Sequence, residues 1–182
     1  MIQVKVEKGK NLDNKFLKKW NKVMLDAFNE DNPLNPAKRT NFEKDIFFIV
    51  SENNNIFSLG RLRPVIINFD NKNYNILGIA DIVSIIKGKG YGKILLNSML
   101  KYLKQKNMTG IGFCLGKNSV FYEKSKFKIA KNMAKLFVHK SKNGKLAVND
   151  WDDDVIYYTG KDNFMKRFLK SPKKVLTSIL HW

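Results

Sequence analysis

The sequence predicts an α/β fold in which a mixed, mostly antiparallel sheet is flanked by helices. Two observations carry this prediction. Three apolar segments are joined by polar turns, which is typical of an antiparallel meander: 46–50, 56–68 and 74–86. A glycine-rich loop at 87–93 leads into an amphipathic helix over 94–103, and a further apolar segment follows at 109–115. Strand, helix and strand in this order form a right-handed crossover, so the last strand should run parallel to the third.

Composition limits the class of protein. The 182 residues suit one domain, and 43% of them are hydrophobic. The net charge of +18 favours anionic partners, although a lysine-rich genome would give the same excess. Only four of the 34 basic residues are arginine, the usual base reader, so we expect no nucleic-acid partner. The single cysteine, Cys114, indicates a reducing, cytoplasmic location, and no apolar stretch is long enough to span a membrane.

The first part of the chain predicts a strand and a helix. Residues 2–6 alternate like a strand, and Asn11 or Asp13 can cap the helix that follows. The apolar positions of this helix recur at intervals of three and four: Phe16, Leu17, Trp20, Val23, Met24 and Phe28. The proline-containing segment 32–36 ends it, and 38–45 is a polar connector with room for a short helical turn.

The last part predicts a short helix over 120–126 and two strands, 127–140 and 155–159. The basic tail is predicted as helical, with Ser171 as the cap and Pro172 at the first helical position. One face of that helix is apolar: Val175, Leu176, Ile179 and Leu180. We expect a domain over 1–160 and a helical extension over 161–182 packed on it, with a membrane surface as the alternative partner of the tail.

The glycine loop has the chemistry of an anion site. Three glycines in five positions let a ligand approach the backbone closely, and successive N–H groups lead into a helix N-terminus. Lys87, Lys89 and Lys93 add full positive charge. The glycine spacing matches neither a P-loop nor a dinucleotide-binding fingerprint. An ordinary tight turn is the alternative explanation for the glycines alone.

Two motifs in the right order resemble the GNAT superfamily of acyl-CoA N-acyltransferases. The family's cofactor loop, Arg/Gln-x-x-Gly-x-Gly/Ala, is matched by Lys87-Gly88-Lys89-Gly90-Tyr91-Gly92, with lysine at the first position. The family pattern Phe-Tyr-Glu-Lys-x-Gly-Phe is matched by Phe121-Tyr122-Glu123-Lys124-Ser125-Lys126-Phe127, with lysine in place of the glycine. The order of predicted elements agrees with this family to about residue 159.

The resemblance implies that acetyl-CoA is the cosubstrate. Backbone amides from Gly88 to Lys93 would hold the pyrophosphate, and backbone groups of the preceding strand would hold the pantetheine arm. The implied cofactor-binding residues are Ile82, Val83, Ser84, Lys87, Gly88, Lys89, Gly90, Tyr91, Gly92, Lys93 and Asn118. A backbone N–H near Ile82 or Val83 would stabilise the oxyanion.

The resemblance also implies catalytic residues. Tyr122 matches the family tyrosine that protonates the departing thiolate, although it could instead only pack or contact the cofactor. Asp81 interrupts an apolar strand and is the candidate general base, with a structural aspartate as the alternative. The family's proline-containing turn is absent between Asp81 and Lys87, which leaves the register of this strand open.

Other polar residues give weaker signals. The acidic run 152–154 could contact a cationic acceptor or form a solvated turn. His139 and His181 are isolated and are interpreted as packing or surface residues, Cys114 is interpreted as buried, and no spacing indicates a metal site. The layout is also weakly similar to that of aminoglycoside 2′-N-acetyltransferases, without a shared acceptor motif.

The predicted activity is therefore acetyl transfer from acetyl-CoA to a primary amine by direct attack in a ternary complex. The acceptor would be a small molecule or a peptide, with an aminoglycoside as a subordinate possibility. A non-catalytic module that senses CoA or binds anionic surfaces is the alternative. We expect a monomer or a homodimer.

Overall fold

The computed structural model describes residues 1–29, 33–53, 55–141, 143–179 and 182. The chain divides into two compact units. The first unit comprises residues 1–63 and 80–99, and the second comprises residues 64–79 and 100–182. Two long strands and one helix contribute residues to both: β3 (Asn55–Phe69), β4 (Lys72–Ser84) and α2 (Tyr91–Lys106).

The first unit contains the N-terminal strands and helix. Strand β1 (Gln3–Lys8) pairs antiparallel with β2 (Ile46–Glu52), and β2 pairs antiparallel with β3. Between β1 and β2 lie α1 (Asn14–Phe28) and a 3-10 segment (Pro36–Asn41), which begins two residues before the connector 38–45 that was predicted to have room for a short helical turn. β3 is followed by β4 after a tight turn, which confirms the meander.

Local signals fix both ends of α1. Asp13 is the cap, because its Oδ1 accepts the Phe16 N–H at 2.7 Å. The helix ends at Phe28, and Asn29 follows in the left-handed conformation. Trp20 is fully buried and meets the ring of Phe47 edge-on at 4.8 Å. One core cluster of the first unit comprises Leu12, Leu17, Trp20, Met24, Phe42, Phe47, Ile49, Leu59 and Val83.

The second unit contains the remaining elements. After α2 come β5 (Gly110–Cys114), α3 (Ser119–Lys124), β6 (Lys128–Ala130), β7 (Phe137–Lys140), β8 (Leu146–Val148), β9 (Asp154–Tyr158), α4 (Phe164–Lys170) and β10 (Val175–Thr177). The strand order is β6-β9-β5-β4-β3-β10-β7-β8. β4 and β5 are parallel, as the crossover predicts, and so are β10 and β7. The sheet is mixed and mostly antiparallel, as predicted.

Aromatic rings dominate the core of the second unit. Phe164 and Phe168 of α4 stack on each other and meet Phe69 and Phe137 edge-on. Trp182 also packs here: its Nε1 donates to the Ile111 carbonyl at 2.8 Å. Helix α4 buries Phe164, Met165 and Phe168 in this core.

The long strand predicted over 127–140 is wrong. It is divided into β6 and β7, because Asn132 adopts the left-handed conformation with φ of 56°. Its N–H donates to Asp154 Oδ1 at 2.9 Å, and the Ala134 N–H donates to the Asp153 carbonyl at 3.1 Å. These two bonds turn the chain away from β6.

The helix predicted from Pro172 onward is also wrong. The helix of the tail is α4, and the Ser171 N–H bonds back to its carbonyls instead of opening a new helix. Residues 175–177 form β10, paired with β3 and β7, so β9 is not the last strand. Val175 and Thr177 are buried while Leu176 is exposed, which is the period of a strand. Leu180 lies outside the described residues, and the domain boundary at 160 stays a prediction.

A helix that crosses a bilayer needs about 20 mostly apolar residues. No helix in the described part of the chain has both the length and the apolar content needed to cross it.

Two tryptophans provide a matched test of the core. We expect Trp20→Ala to lower the free energy of unfolding by about 3 to 5 kcal/mol, because Trp20 is 1% exposed and fills the space between α1 and β2. Trp151 is 77% exposed, so Trp151→Ala should change the free energy of unfolding by less than about 0.5 kcal/mol. Urea unfolding followed by circular dichroism measures both, and similar losses would contradict the packing of α1.

Candidate functional site

The loop between β4 and α2 is held in a conformation that requires glycine. Residues 85–90 are exposed, and Gly88 and Gly90 have φ of 76° and 80°. No atom lies within 4 Å of the position that a Cβ would occupy at either residue. Glycine is therefore needed for the backbone conformation and not for packing, and the space beside it is open to a ligand.

The start of α2 is anchored by an aromatic contact. The Gly90 carbonyl accepts the Ile94 N–H at 3.1 Å, which begins the helix. The ring of Tyr91 stacks on Phe57 of β3, with centroids 4.5 Å apart. Gly92 is buried in the first turn, whereas the predicted phosphate-binding lysines are exposed: Lys87, Lys89 and Lys93. The first unit thus places exposed positive charge around the positive end of a helix.

The end of β4 presents its backbone in two directions. The Ser58 hydroxyl donates to the Val83 carbonyl at 2.6 Å, and the Ile85 N–H donates to the Phe57 carbonyl at 2.9 Å. Both bonds point toward β3. Because backbone groups alternate along a strand, those of Ile82 and Ser84 point to the opposite edge of β4. Of the three strand residues predicted to contact a cofactor, these two are the ones whose backbone lies on that edge.

Asp81 belongs to a cluster of buried charges in the first unit. Its Oδ2 lies 2.6 Å from Arg61 Nε. Arg61 Nη1 donates to Asp45 Oδ2 at 3.1 Å, and Arg63 Nε lies 3.2 Å from the same oxygen. The side chains of Asp45 and Arg61 are only 5% and 11% exposed. Two carboxylates and two guanidinium groups therefore balance one another away from water.

Burial controls the ionisation of this cluster. It raises the pKa of Asp45 to about 6, against the opposing effect of Arg61 and Arg63. Burial also lowers the pKa of Arg63, with the positive charge of Arg61 as the second cause. Arg61 additionally lies over the ring of Phe47, 6.0 Å from its centroid. Burial thus raises the pKa of the Asp45 carboxyl group well above its ordinary value in spite of its two arginine partners.

Sequence reasoning identified Asp81 but missed Asp45, Arg61 and Arg63. A signal was present, because the two arginines occupy alternate positions of an otherwise apolar strand and therefore share one face. Asp45 immediately precedes the apolar strand β2. Charged residues inside two apolar strands and directly before a third would have indicated a buried ion cluster.

Tyr122 lies in α3 of the second unit. It is half-buried, and its ring meets that of Phe121 at 5.3 Å. Burial raises the pKa of Tyr122 well above its usual value, and the neighbouring Cys114 and Asp152 add to this effect. The phenol therefore keeps its proton throughout the physiological range and can act as a donor. Asn118, which is exposed, precedes α3 in the same unit.

The acidic run before β9 has internal partners. Asp154 is 1% exposed and accepts bonds from Ser119 Oγ, the Asn132 N–H and Lys131 Nζ. Asp153 accepts the Gly116 N–H at 2.8 Å. A solvated turn is therefore wrong for Asp154, which joins β9 to the first residue of α3. The acceptor contact considered for this run gains no support from these bonds.

The remaining candidates also have packing roles. Burial raises the pKa of Cys114 to about 11, so its thiol is a poor nucleophile. His139 Nδ1 lies 3.1 Å from the Thr177 carbonyl, and His181 lies outside the described residues. Over the described ranges, no group of three or more histidine, cysteine or acidic side chains is arranged to hold a metal ion.

Comparison with known proteins supports the fold. No family model matches the chain, and no curated protein matches it. An N-acetyltransferase from Staphylococcus aureus Mu50 is 19% identical, with 87% of this chain and 97% of that chain covered at a TM-score of 0.57. An acyl-CoA N-acyltransferase from Pseudomonas aeruginosa is 11% identical, with 87% and 100% covered at a TM-score of 0.58. This chain therefore has the fold of the GNAT acyl-CoA N-acyltransferases, as its two motifs predict.

The raised pKa of Asp45 predicts a pH-dependent stability. Between about pH 4 and pH 6 the native Asp45 keeps a proton that the unfolded chain has lost, so stability falls as pH rises. Relative to Asp45→Asn, which cannot titrate, the wild type should lose up to about 3 kcal/mol across this window. Urea unfolding from pH 4 to pH 7 measures this difference, and parallel profiles for the two proteins would contradict it.

Proposed function

We propose that this chain is an N-acetyltransferase that transfers the acetyl group of acetyl-CoA to a primary amine by direct attack in a ternary complex. The observation that carries the proposal is the loop after β4, where Gly88 and Gly90 are left-handed immediately before α2. The fold supports it, since the similar solved structures are described as N-acyltransferases. The acceptor is a small-molecule or peptide amine.

The loop fits the pyrophosphate of acetyl-CoA. Space is open beside both left-handed glycines, and the backbone amides from Gly88 to Lys93 lead into the positive end of α2. Lys87, Lys89 and Lys93 supply charge without occupying that space. Tyr91 contributes through its stack on Phe57, which fixes the start of the helix. Asn118 stays a predicted cofactor contact.

The edge of β4 fits the pantetheine arm and the reacting carbonyl. Ile82 and Ser84 direct their backbone groups to the edge opposite β3, so they can bond the amides of the arm. The carbonyl of Val83 accepts a hydrogen bond from the Ser58 hydroxyl. The side chain of Val83 is buried, so this residue contributes to the core beside the site. We assign the oxyanion donor to the Ile82 N–H, because it lies on the open edge.

Acetyl transfer then needs two proton movements. The attacking amine must lose a proton, and we assign its acceptance to Asp81, whose side chain is 17% exposed. Since Arg61 lies against this carboxylate, a water molecule would carry the proton to it. The thiolate that leaves must gain a proton, and Tyr122 supplies it because its phenol stays protonated. Acetyl-CoA itself supplies the activated thioester.

The loop assignment is tested with two glycines of equal conformation. We expect Gly90→Val to weaken CoA binding at least about tenfold, because a Cβ strains the left-handed backbone and fills the space for phosphate. Gly144 has φ of 81° and equally open surroundings, but it lies in the turn before β8. Gly144→Val should therefore keep CoA affinity. Titration calorimetry with CoA measures both, and equal losses would overturn the assignment.

The acid role is tested by removing one hydroxyl group. Tyr122→Phe should lower kcat by about 100-fold or more and leave the KM for acetyl-CoA nearly unchanged, since only the proton donor is lost. Tyr102 has a pKa that is likewise raised by burial, so Tyr102→Phe is the matched control and should keep full turnover.

Thiol release from acetyl-CoA, measured against polyamines, amino acids, peptides and aminoglycosides, provides the turnover for this comparison. CoA binding without thiol release from any amine would contradict the enzyme and favour a CoA-sensing module.

A further inference from the structure

Asp81 adopts a backbone conformation that is exceptional for its place in the fold. Nine non-glycine residues in the described part of the chain have positive φ. Eight of them end helices or lie in connections between elements: Asn29, Asn53, Asp70, Asn71, Asn107, Lys126, Asn132 and Asn163. Asp81, with φ of 54°, lies inside strand β4. A left-handed residue within a strand is strained and persists only where its surroundings hold it.

Arg61 lies against the side chain of the kinked residue. It contacts Asp81 Oδ2 through Nε and Asp45 Oδ2 through Nη1, so one planar side chain joins β4 to the start of β2. Lysine has a single ammonium group and lacks the two separate nitrogens through which Arg61 contacts the two carboxylates. The chain has four arginines among 34 basic residues, and two of them, Arg61 and Arg63, lie in this cluster.

The kink also determines the direction of the residues that follow. Val83 and Ile85 bond toward β3 immediately after Asp81, which leaves Ile82 and Ser84 on the other edge. A change in the backbone at one strand residue alters the direction of every group beyond it. Loss of the kink would therefore turn the cofactor-facing edge of β4 away from its ligand.

We propose that the Asp45–Arg61 pair is a brace that fixes the left-handed kink at Asp81 and thereby positions the backbone of Ile82 and Ser84 for acetyl-CoA. Arg61 is a positioning residue in this scheme, because it acts through Asp81 and β4. Arg63 supports the brace by sharing the Asp45 oxygen. This inference rests on the proposed function for its ligand, whereas the brace itself has a readout that needs no ligand.

The ligand-free readout is hydrogen exchange at the Ile85 amide, whose bond to Phe57 follows the kink. In Arg61→Met we expect this amide to exchange about tenfold faster, because the strained residue loses its partner. The matched control is Arg39→Met. Arg39 is also an arginine of the first unit, but it bonds the carbonyls of Gly9 and Leu12 before α1. This control should leave Ile85 exchange unchanged.

Adding Asp81→Gly to Arg61→Met distinguishes a positioning role of Arg61 from general damage to the fold. Arg61→Met should weaken CoA binding about tenfold, and adding Asp81→Gly should restore it to within about threefold, because glycine adopts the left-handed conformation without a brace. Acetyl transfer should stay low in the double variant, since the proposed proton acceptor is gone. A folded double variant without restored CoA affinity would overturn the brace.

Two further comparisons cover the other outcomes. If Arg61→Met does not fold, the proposal is tested by comparing Asp81→Gly with Asp81→Ala. The glycine variant should keep its affinity for CoA, and the affinity of the alanine variant should fall about tenfold. Equal affinities would overturn the brace. If the wild type does not bind CoA, the proposed function fails, and Ile85 exchange in Arg61→Met against Arg39→Met still decides whether the brace exists.

Discussion

One arginine side chain connects the central strands of the first unit. Arg61 stands in β3 and contacts a carboxylate on each side, Asp45 before β2 and Asp81 in β4. Because these groups are largely buried, removing any one of them would leave an unpaired charge in a medium of low polarity. The kink of β4, and with it the direction of the backbone that follows, depends on this arrangement.

The candidate site relies on backbone conformation more than on side chains. Asp81, Gly88 and Gly90 all have positive φ within ten residues, and they lie in or immediately before the segment proposed to bind acetyl-CoA. The glycines adopt this conformation freely, whereas Asp81 needs its ion pair. The exposed lysines add charge but do not shape the loop. A site that is formed mainly by backbone groups favours a ligand with several hydrogen-bonding groups along its length.

Much of the fold could be predicted because its signals are local. Asp13 caps α1 within three residues, and the apolar periodicity of 94–103 lies within the observed α2. The break at Asn132 could not be predicted in this way, since its N–H bonds to Asp154, 22 residues further along the chain. The same holds for β10, whose partners β3 and β7 are distant in sequence. A short apolar segment is compatible with both the period of a helix and that of a strand until its partners are known.

The sequence by itself determined the order of elements from β1 to α3, the glycine loop before α2 and the two motifs that indicate an acyl-CoA fold. Those features depend on neighbouring residues and on the freedom of glycine. Only the tertiary structure showed that Asp81 is kinked and paired with Arg61, that Asp154 is buried, and which edge of β4 each backbone group faces. These depend on residues tens of positions apart, because burial and ion pairing arise only when strands are brought together.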